Sequence, residues 1–164
     1  MRLSYPVLIP ILVLASAALA AQAPRAKPAP QIWEARCSSP ARAVPVDCSL
    51  EQRVVIRTSG QLLASVTINV PHDTRKPSVL IQVPFGLALK AGVTLSLNNH
   101  GPARLDVQTC DQSGCYAGTM VSDDFLAAML TGKMLTVKMQ AMNGQTISVP
   151  MPLTGFKDAY NSIR

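Results

Sequence analysis

Aromatic residues are scarce in this 164-residue chain, which holds one Trp, three Tyr and three Phe. That removes the usual means of gripping single-stranded nucleic acid, in which bases stack on aromatics along a basic groove. Charge is sparse as well: Asp, Glu, Lys and Arg make up 15% of the sequence, and no basic run exceeds two residues. Without a concentrated basic stripe, no nucleic-acid partner is expected. Histidine is confined to His72 and His100, both in expected loops, where a solvated side chain is the simpler reading. Neither stands beside a Ser or Cys nucleophile in a recognisable motif. A glycine-rich phosphate loop and a fixed-period repeat are also missing, which removes nucleotide-cradling and solenoid architectures.

Long apolar runs are lacking too. The longest, Val7 to Ala18, is about a dozen residues, short of the roughly 20 that a spanning helix needs. It follows Arg2 and leads into Ala18-Leu19-Ala20, an A-x-A pattern. Residues 1–20 therefore read as a secretory signal peptide cleaved after Ala20, which sends the chain to the periplasm or beyond. Ala21 and Gln22 come next, so no lipid-bearing cysteine follows the cleavage site. Loss of Arg2 leaves fourteen basic against nine acidic residues, a mild positive excess suited to anionic envelope or cell-surface material. Residues 21–31, AQAPRAKPAPQ, alternate Ala and Pro and are expected to form an extended tether. The folded domain is expected from residue 32 to 164, starting at Ile32 or Trp33.

What is present from there is a series of short, branched or alternating segments divided by turn signals. RVVIRT (Arg53–Thr58) and LLASVTINV (Leu62–Val70) flank Ser59-Gly60, a hairpin pattern. PHDTRKP (residues 71–77) is a polar loop, and SVLIQVPF a strongly apolar strand. After a turn at Lys90–Gly92, Val93, Leu95 and Leu97 share one face because strand side chains alternate with period two. The chain reverses at Asn98–Gly101 into ARLDVQTC, and GCYAGTMV follows.

SDDFLAAMLTGK is the internal helix. Ser122 caps it, Asp123 and Asp124 suit its positive end, and Phe125, Leu126, Met129 and Leu130 recur at helical spacing. MLTVKMQAM and QTISVPMPL flank Asn143-Gly144, the strongest short hairpin signal, and GFKDAYNSIR ends the chain with a helical turn. Eight or nine short strands with one short helix predict an all-β sandwich, with a small barrel as the alternative.

The four cysteines, Cys37, Cys48, Cys110 and Cys115, form an even set in an oxidising compartment. Three pairings exist. The local one, Cys37 with Cys48 and Cys110 with Cys115, needs no long-range assumption and is the expectation. CDQSGC (Cys110–Cys115) has the spacing of a hairpin staple rather than of a thioredoxin-type pair, whose cysteines are two residues apart at a helix start. A four-cysteine zinc site would need reduced thiols and closer knuckles. Copper chemistry at the methionines competes with ordinary core filling by Met120, Met129, Met134, Met139, Met142 and Met151. The carboxylates offer no catalytic pair: Asp123 and Asp124 serve the helix start, and Asp106 and Asp111 are separated by a strand end. No catalytic, cofactor-binding or metal-binding residue is assigned.

In their order, WEARC (Trp33–Cys37), DCSLEQ (Asp47–Gln52), VPFGLALKAGVTLSL (Val83–Leu97), CDQSGCYA (Cys110–Ala117) and PLTGFKDAY (Pro152–Tyr160) resemble the invasion-associated locus B family of secreted bacterial envelope proteins. G-C-x-A followed by a terminal L-x-G-F-x-x-A carries most of the specificity, and the Pro-rich tether and Phe85 are local variations. The resemblance implies an immunoglobulin-like β-sandwich with no established enzymatic activity or cofactor. Export, stapled strands, the N-terminal tether and the absence of a catalytic constellation point to a non-enzymatic envelope protein that binds another envelope protein, a surface glycan or a host component. The alternatives are a cryptic hydrolase or redox enzyme whose residues meet only in the fold, and a purely structural envelope component.

Overall fold

The computed structural model describes residues 32–39, 41, 45–98 and 100–164. The expected signal peptide and tether lie outside the described residues. The described chain forms β1 (Glu34–Ser38), β2 (Asp47–Val55), β3 (Leu62–Val70), β4 (Ser78–Val83), a 3-10 turn (Leu89–Ala91), β5 (Val93–Leu97), β6 (His100–Leu105), β7 (Val107–Asp111) and β8 (Gly114–Met120). Then follow α1 (Asp123–Thr131), β9 (Met134–Gln140), β10 (Thr146–Pro152) and α2 (Phe156–Ile163). A large sheet takes six strands in the order β1-β2-β3-β4-β8-β7, and a small sheet takes four in the order β10-β9-β5-β6. All pairings are antiparallel.

Period-two alternation explains why the sheets face each other. On β3, Ala64, Val66, Ile68 and Val70 are buried; on β5, Val93, Leu95 and Leu97; on β9, Leu135, Val137 and Met139. These inner faces meet in one apolar cluster. Each fully buried Val, Leu, Ile or Met contributes about 1.5–3 kcal/mol relative to exposure. The strand polar residues, Thr94, Ser96, Thr136 and Lys138 among them, have the opposite parity.

The strand count is ten among the described residues rather than eight or nine. β2 begins at Asp47 instead of Arg53, so DCSLEQ runs into RVV as one strand. More consequentially, ARLDVQTC divides at Asp106: β6 belongs to the small sheet and β7 to the large one. Leu105 and Val107 both pack on the core, so alternation continues unbroken through the corner and gives no sign of the bend. Arg104 holds that corner, with Nη1 2.7 Å from the Asp106 carboxylate and further donations to the carbonyls of Ala91 (3.0 Å) and Lys90 (2.8 Å).

Both helices pack by short apolar stripes. Ser122 Oγ accepts the Phe125 N–H at 3.3 Å, and Phe125, Ala128 and Met129 are buried while Leu126 and Leu130 are half-buried. The C-terminal segment is an eight-residue helix rather than a single turn, because Phe156, Tyr160 and Ile163 recur every three or four residues and are buried. Phe156 meets Trp33 edge-on at 4.9 Å, and the indole N–H of Trp33 donates to the Pro152 carbonyl at 3.0 Å. Gln52 Nε2 donates to the same carbonyl at 3.1 Å. The end of β10 in the small sheet is thus tied to the beginning of the large one.

Candidate functional site

Strand register brings the cysteines together. Cys37 faces Cys48 across β1 and β2, and Cys110 faces Cys115 across β7 and β8. The sulfurs are joined in these pairs, with Cα atoms 4.1 Å and 4.0 Å apart, near the spacing of the narrow facing pairs of an antiparallel ladder. No free cysteine remains among the described residues. Both bonds lie on the two outermost strands of the large sheet, one at each edge. On the register they share the core-facing side with Val70 and Val83, and Cys115 is buried.

The clasp at Cys110–Cys115 also organises a turn. Asp111 faces Gly114 across a two-residue loop, and Asp111 Oδ1 accepts the Ser113 N–H (2.7 Å) and the Tyr116 hydroxyl (3.2 Å). Gln82 Nε2 donates to the Ser113 carbonyl at 2.9 Å, joining the turn to β4. Gly114 has φ +146°, and a Cβ there would lie 2.5 Å from the Val83 carbonyl oxygen, so the position demands glycine. Partial burial first, and the Asp111 carboxylate second, hold the Tyr116 phenol above its ordinary value. Like any phenol it is protonated at neutral pH, and so it donates to Asp111.

From this turn a polar surface extends across the outer face of the large sheet. One row of facing residues reads Arg53, Ser65, Gln82, Tyr116 and Thr109; the next reads Glu34, Glu51, Thr67, Leu80 and Gly118. Glu51 Oε1 accepts from Ser65 Oγ at 3.0 Å and from Arg53 Nη1 at 3.3 Å. Arg36 pairs with Glu34 at 3.0 Å, and Gln108 Nε2 donates to the Gly118 carbonyl at 2.9 Å. Exposed pairs like these contribute little stability. Together they place guanidinium, carboxylate, phenol and amide groups side by side on a sheet bordered by disulfides. Chemically such a face can donate, accept and stack.

The remaining candidates fall elsewhere. His72 lies in the 71–77 loop, where its backbone N–H and ring Nδ1 approach Asp47 Oδ1 at 3.0 Å and 2.8 Å. The backbone bond first, then the ring, hold the Asp47 carboxyl below its usual value. His100 is not a solvated loop residue: it opens β6, and its ring meets Phe125 edge-on at 5.4 Å. Turn-favouring residues set the expected reversal over Asn98–Gly101, whereas Leu97 already pairs with His100, so β6 begins inside that run. Asp123 and Asp124 occupy the first turn of α1. Met129, Met139 and Met151 are in the core, Met134 is half-buried, and Met120 and Met142 are exposed, so core filling covers only part of the set. Among the described residues, no group of three or more His, Cys, Asp or Glu side chains converges as a metal site.

The residues that sequence reasoning passed over are Gln82, Tyr116 and Arg53, which are far apart in the chain and lack a motif. Their shared outward parity on adjacent strands was the available signal, but register is needed to put them in one row.

These features define a two-sheet antiparallel sandwich whose larger sheet is stapled at both edges and carries a polar outer face. The chain belongs to the invasion associated locus B (IalB) family, whose model matches residues 33–164, from the buried Trp33 to the end of α2 and the last residue. Invasion protein B homologues from two strains of Brucella abortus, 2308 and biovar 1 strain 9-941, are each 25% identical over 135 residues, covering 82% of this chain and 76% of theirs. The crystal structure of invasion associated protein b from Bartonella henselae superposes with a TM-score of 0.69 at 20% identity, covering 80% of this chain and 90% of that one. That likeness supports the fold. Among the described residues no helix is long and apolar enough to cross a membrane.

Proposed function

We propose that this protein is a non-enzymatic binding protein of the bacterial envelope, exported by residues 1–20 and held out on the 21–31 tether. It engages an envelope or host-surface protein or glycan through the outer face of the large sheet. The observation that carries this reading is that Arg53, Gln82 and Tyr116 share one row of the sheet and are hydrogen-bonded to Glu51, the Ser113 carbonyl and Asp111, beside a disulfide-clasped turn. Ordering such groups in advance lowers the entropy lost on association, which is how a polar face gains affinity. The two disulfides agree with an oxidising compartment. The Brucella and Bartonella relatives carry invasion in their names, which favours a host-facing partner over an internal one.

The test is a pull-down from envelope and host-membrane extracts with the immobilised 21–164 chain. Saturable capture should be lost in the double variant Arg53→Ala, Tyr116→Ala and kept in Lys138→Glu, which alters the opposite sheet. Equal capture by both variants would exclude this face. Reproducible turnover of a small substrate by the purified chain would exclude the non-enzymatic reading.

A further inference from the structure

A cavity of about 120 Å³ opens where the two sheets splay beside the start of α1. Val79 supplies one wall from the large sheet, Leu95, Ala103 and Leu105 the other from the small sheet, and Phe125 closes the end. Val79, Leu95, Leu105 and Phe125 are all core residues, so the floor is apolar. Close packing normally removes such spaces. Here the β5–β6 ladder shifts register between Leu95 and Leu97, beside the cavity, pairing Leu95 with Ala103 and Leu97 with His100. Bulges of this kind re-aim side chains next to binding sites. In this case the result is a small residue, Ala103, in the wall and His100 among the lining residues.

We propose that this cavity is a binding subsite for a single six-membered aromatic ring bearing a polar substituent, a phenol being the fitting chemistry. Size is the first argument: the cavity, about 120 Å³ and open to solvent on one side where a substituent can project, is near the roughly 150 Å³ of a closed apolar cavity that accepts benzene. The second is the company: Phe125 and His100 already form an edge-to-face pair at 5.4 Å and 82°, and a third ring can extend that arrangement. The third concerns the polar end. His100 Nδ1 lies 2.8 Å from the Gly101 carbonyl, which only accepts, so Nδ1 carries a hydrogen, and in that tautomer Nε2 is an acceptor. A phenolic O–H supplies the matching donor. This subsite is distinct from the outer face of the large sheet and does not depend on the function proposed above.

The experiment is ¹⁹F and ¹H NMR titration of the 21–164 chain with 4-fluorophenol. Saturable binding is expected with a Kd on the order of a millimolar or below. Nuclear Overhauser contacts should connect the ring to the methyls of Val79, Leu95 and Leu105. Cyclohexanol, of similar size, should bind roughly two- to tenfold more weakly, as loss of the ring–ring contacts implies. Ala103→Leu should fill the space and abolish binding, and the Overhauser contacts in the unaltered protein stand even if that variant misfolds. Non-saturable shifts, contacts to other residues, or equal affinity for cyclohexanol would overturn the proposal. N-acetyl-tyrosinamide separates the sources: binding comparable to the phenol assigns the site to a tyrosine side chain of a polypeptide, and exclusion assigns it to free phenols.

Discussion

At the borders of the large sheet the outermost strands are held by covalent bonds, Cys37–Cys48 on β1 and Cys110–Cys115 on β7. The small sheet has no cysteine, and its outermost strands carry prolines instead, Pro102 on β6 and Pro150 with Pro152 on β10. The two devices do different work: a proline removes a donor from the open row of backbone groups that could pair with another chain, whereas a disulfide fastens an edge strand to its inner neighbour and leaves that row open. A proline withholds an N–H in any compartment. A disulfide holds only where thiols oxidise. The large sheet, which bears the candidate recognition face, is thus the part of the molecule whose integrity depends on an oxidising environment.

The two sheets share one core, so the most damaging change is at their junction. Trp33→Ala removes the indole that packs on Phe156 and donates to Pro152, and should cost about 3–5 kcal/mol. Urea unfolding should report this as a lower midpoint with both sheets lost together. A smaller and more selective effect is expected from the disulfides. Replacing either cysteine pair by alanines should cost about 2–3 kcal/mol on the loop-entropy model. Hydrogen exchange should rise in β1 or in β7 according to the pair removed, while β9 and β5 keep their protection. Non-reducing peptide maps should show Cys37 joined to Cys48 and Cys110 to Cys115, and a cross-link between pairs would break the comparison.

Opening the proline-guarded border tests the other side. Pro150→Thr on β10 should change stability by less than about 0.5 kcal/mol yet restore an N–H to that strand. Concentration-dependent association in sedimentation velocity is the expected outcome, and a strictly monomeric variant would show that the proline is not the guard. The smallest effect concerns Asp47. Its carboxyl is held below the usual value, so its stabilising contribution is complete above the unfolded value and lost as pH falls through the folded one, below about pH 4. His72 amide protection should drop in that window. Asp47→Asn should abolish the pH dependence of that protection.

Much of this architecture was legible because local chemistry and fold agree. Asn143-Gly144 turns β9 into β10, Ser122 caps α1, and Val93, Leu95 and Leu97 point inward as their spacing requires. The corner at Asp106 was not legible, since Leu105 and Val107 face one core from two sheets and leave the alternation intact. His100 escaped because Asn98, Asn99, His100 and Gly101 all suit a turn, and where in that run pairing resumes is set by the partner strand.

By itself, the sequence determined the all-β character, the strand and turn punctuation and the adjacency of each cysteine pair, because side-chain period, turn residues and short loop closure act over a few residues. Tertiary structure alone decided that both clasps border the same sheet, that Arg53, Gln82 and Tyr116 share a row, and that Ala103 opens a cavity against Phe125. Those relations depend on strand order and on the angle at which two sheets part, both set by how the whole core packs rather than by any single segment.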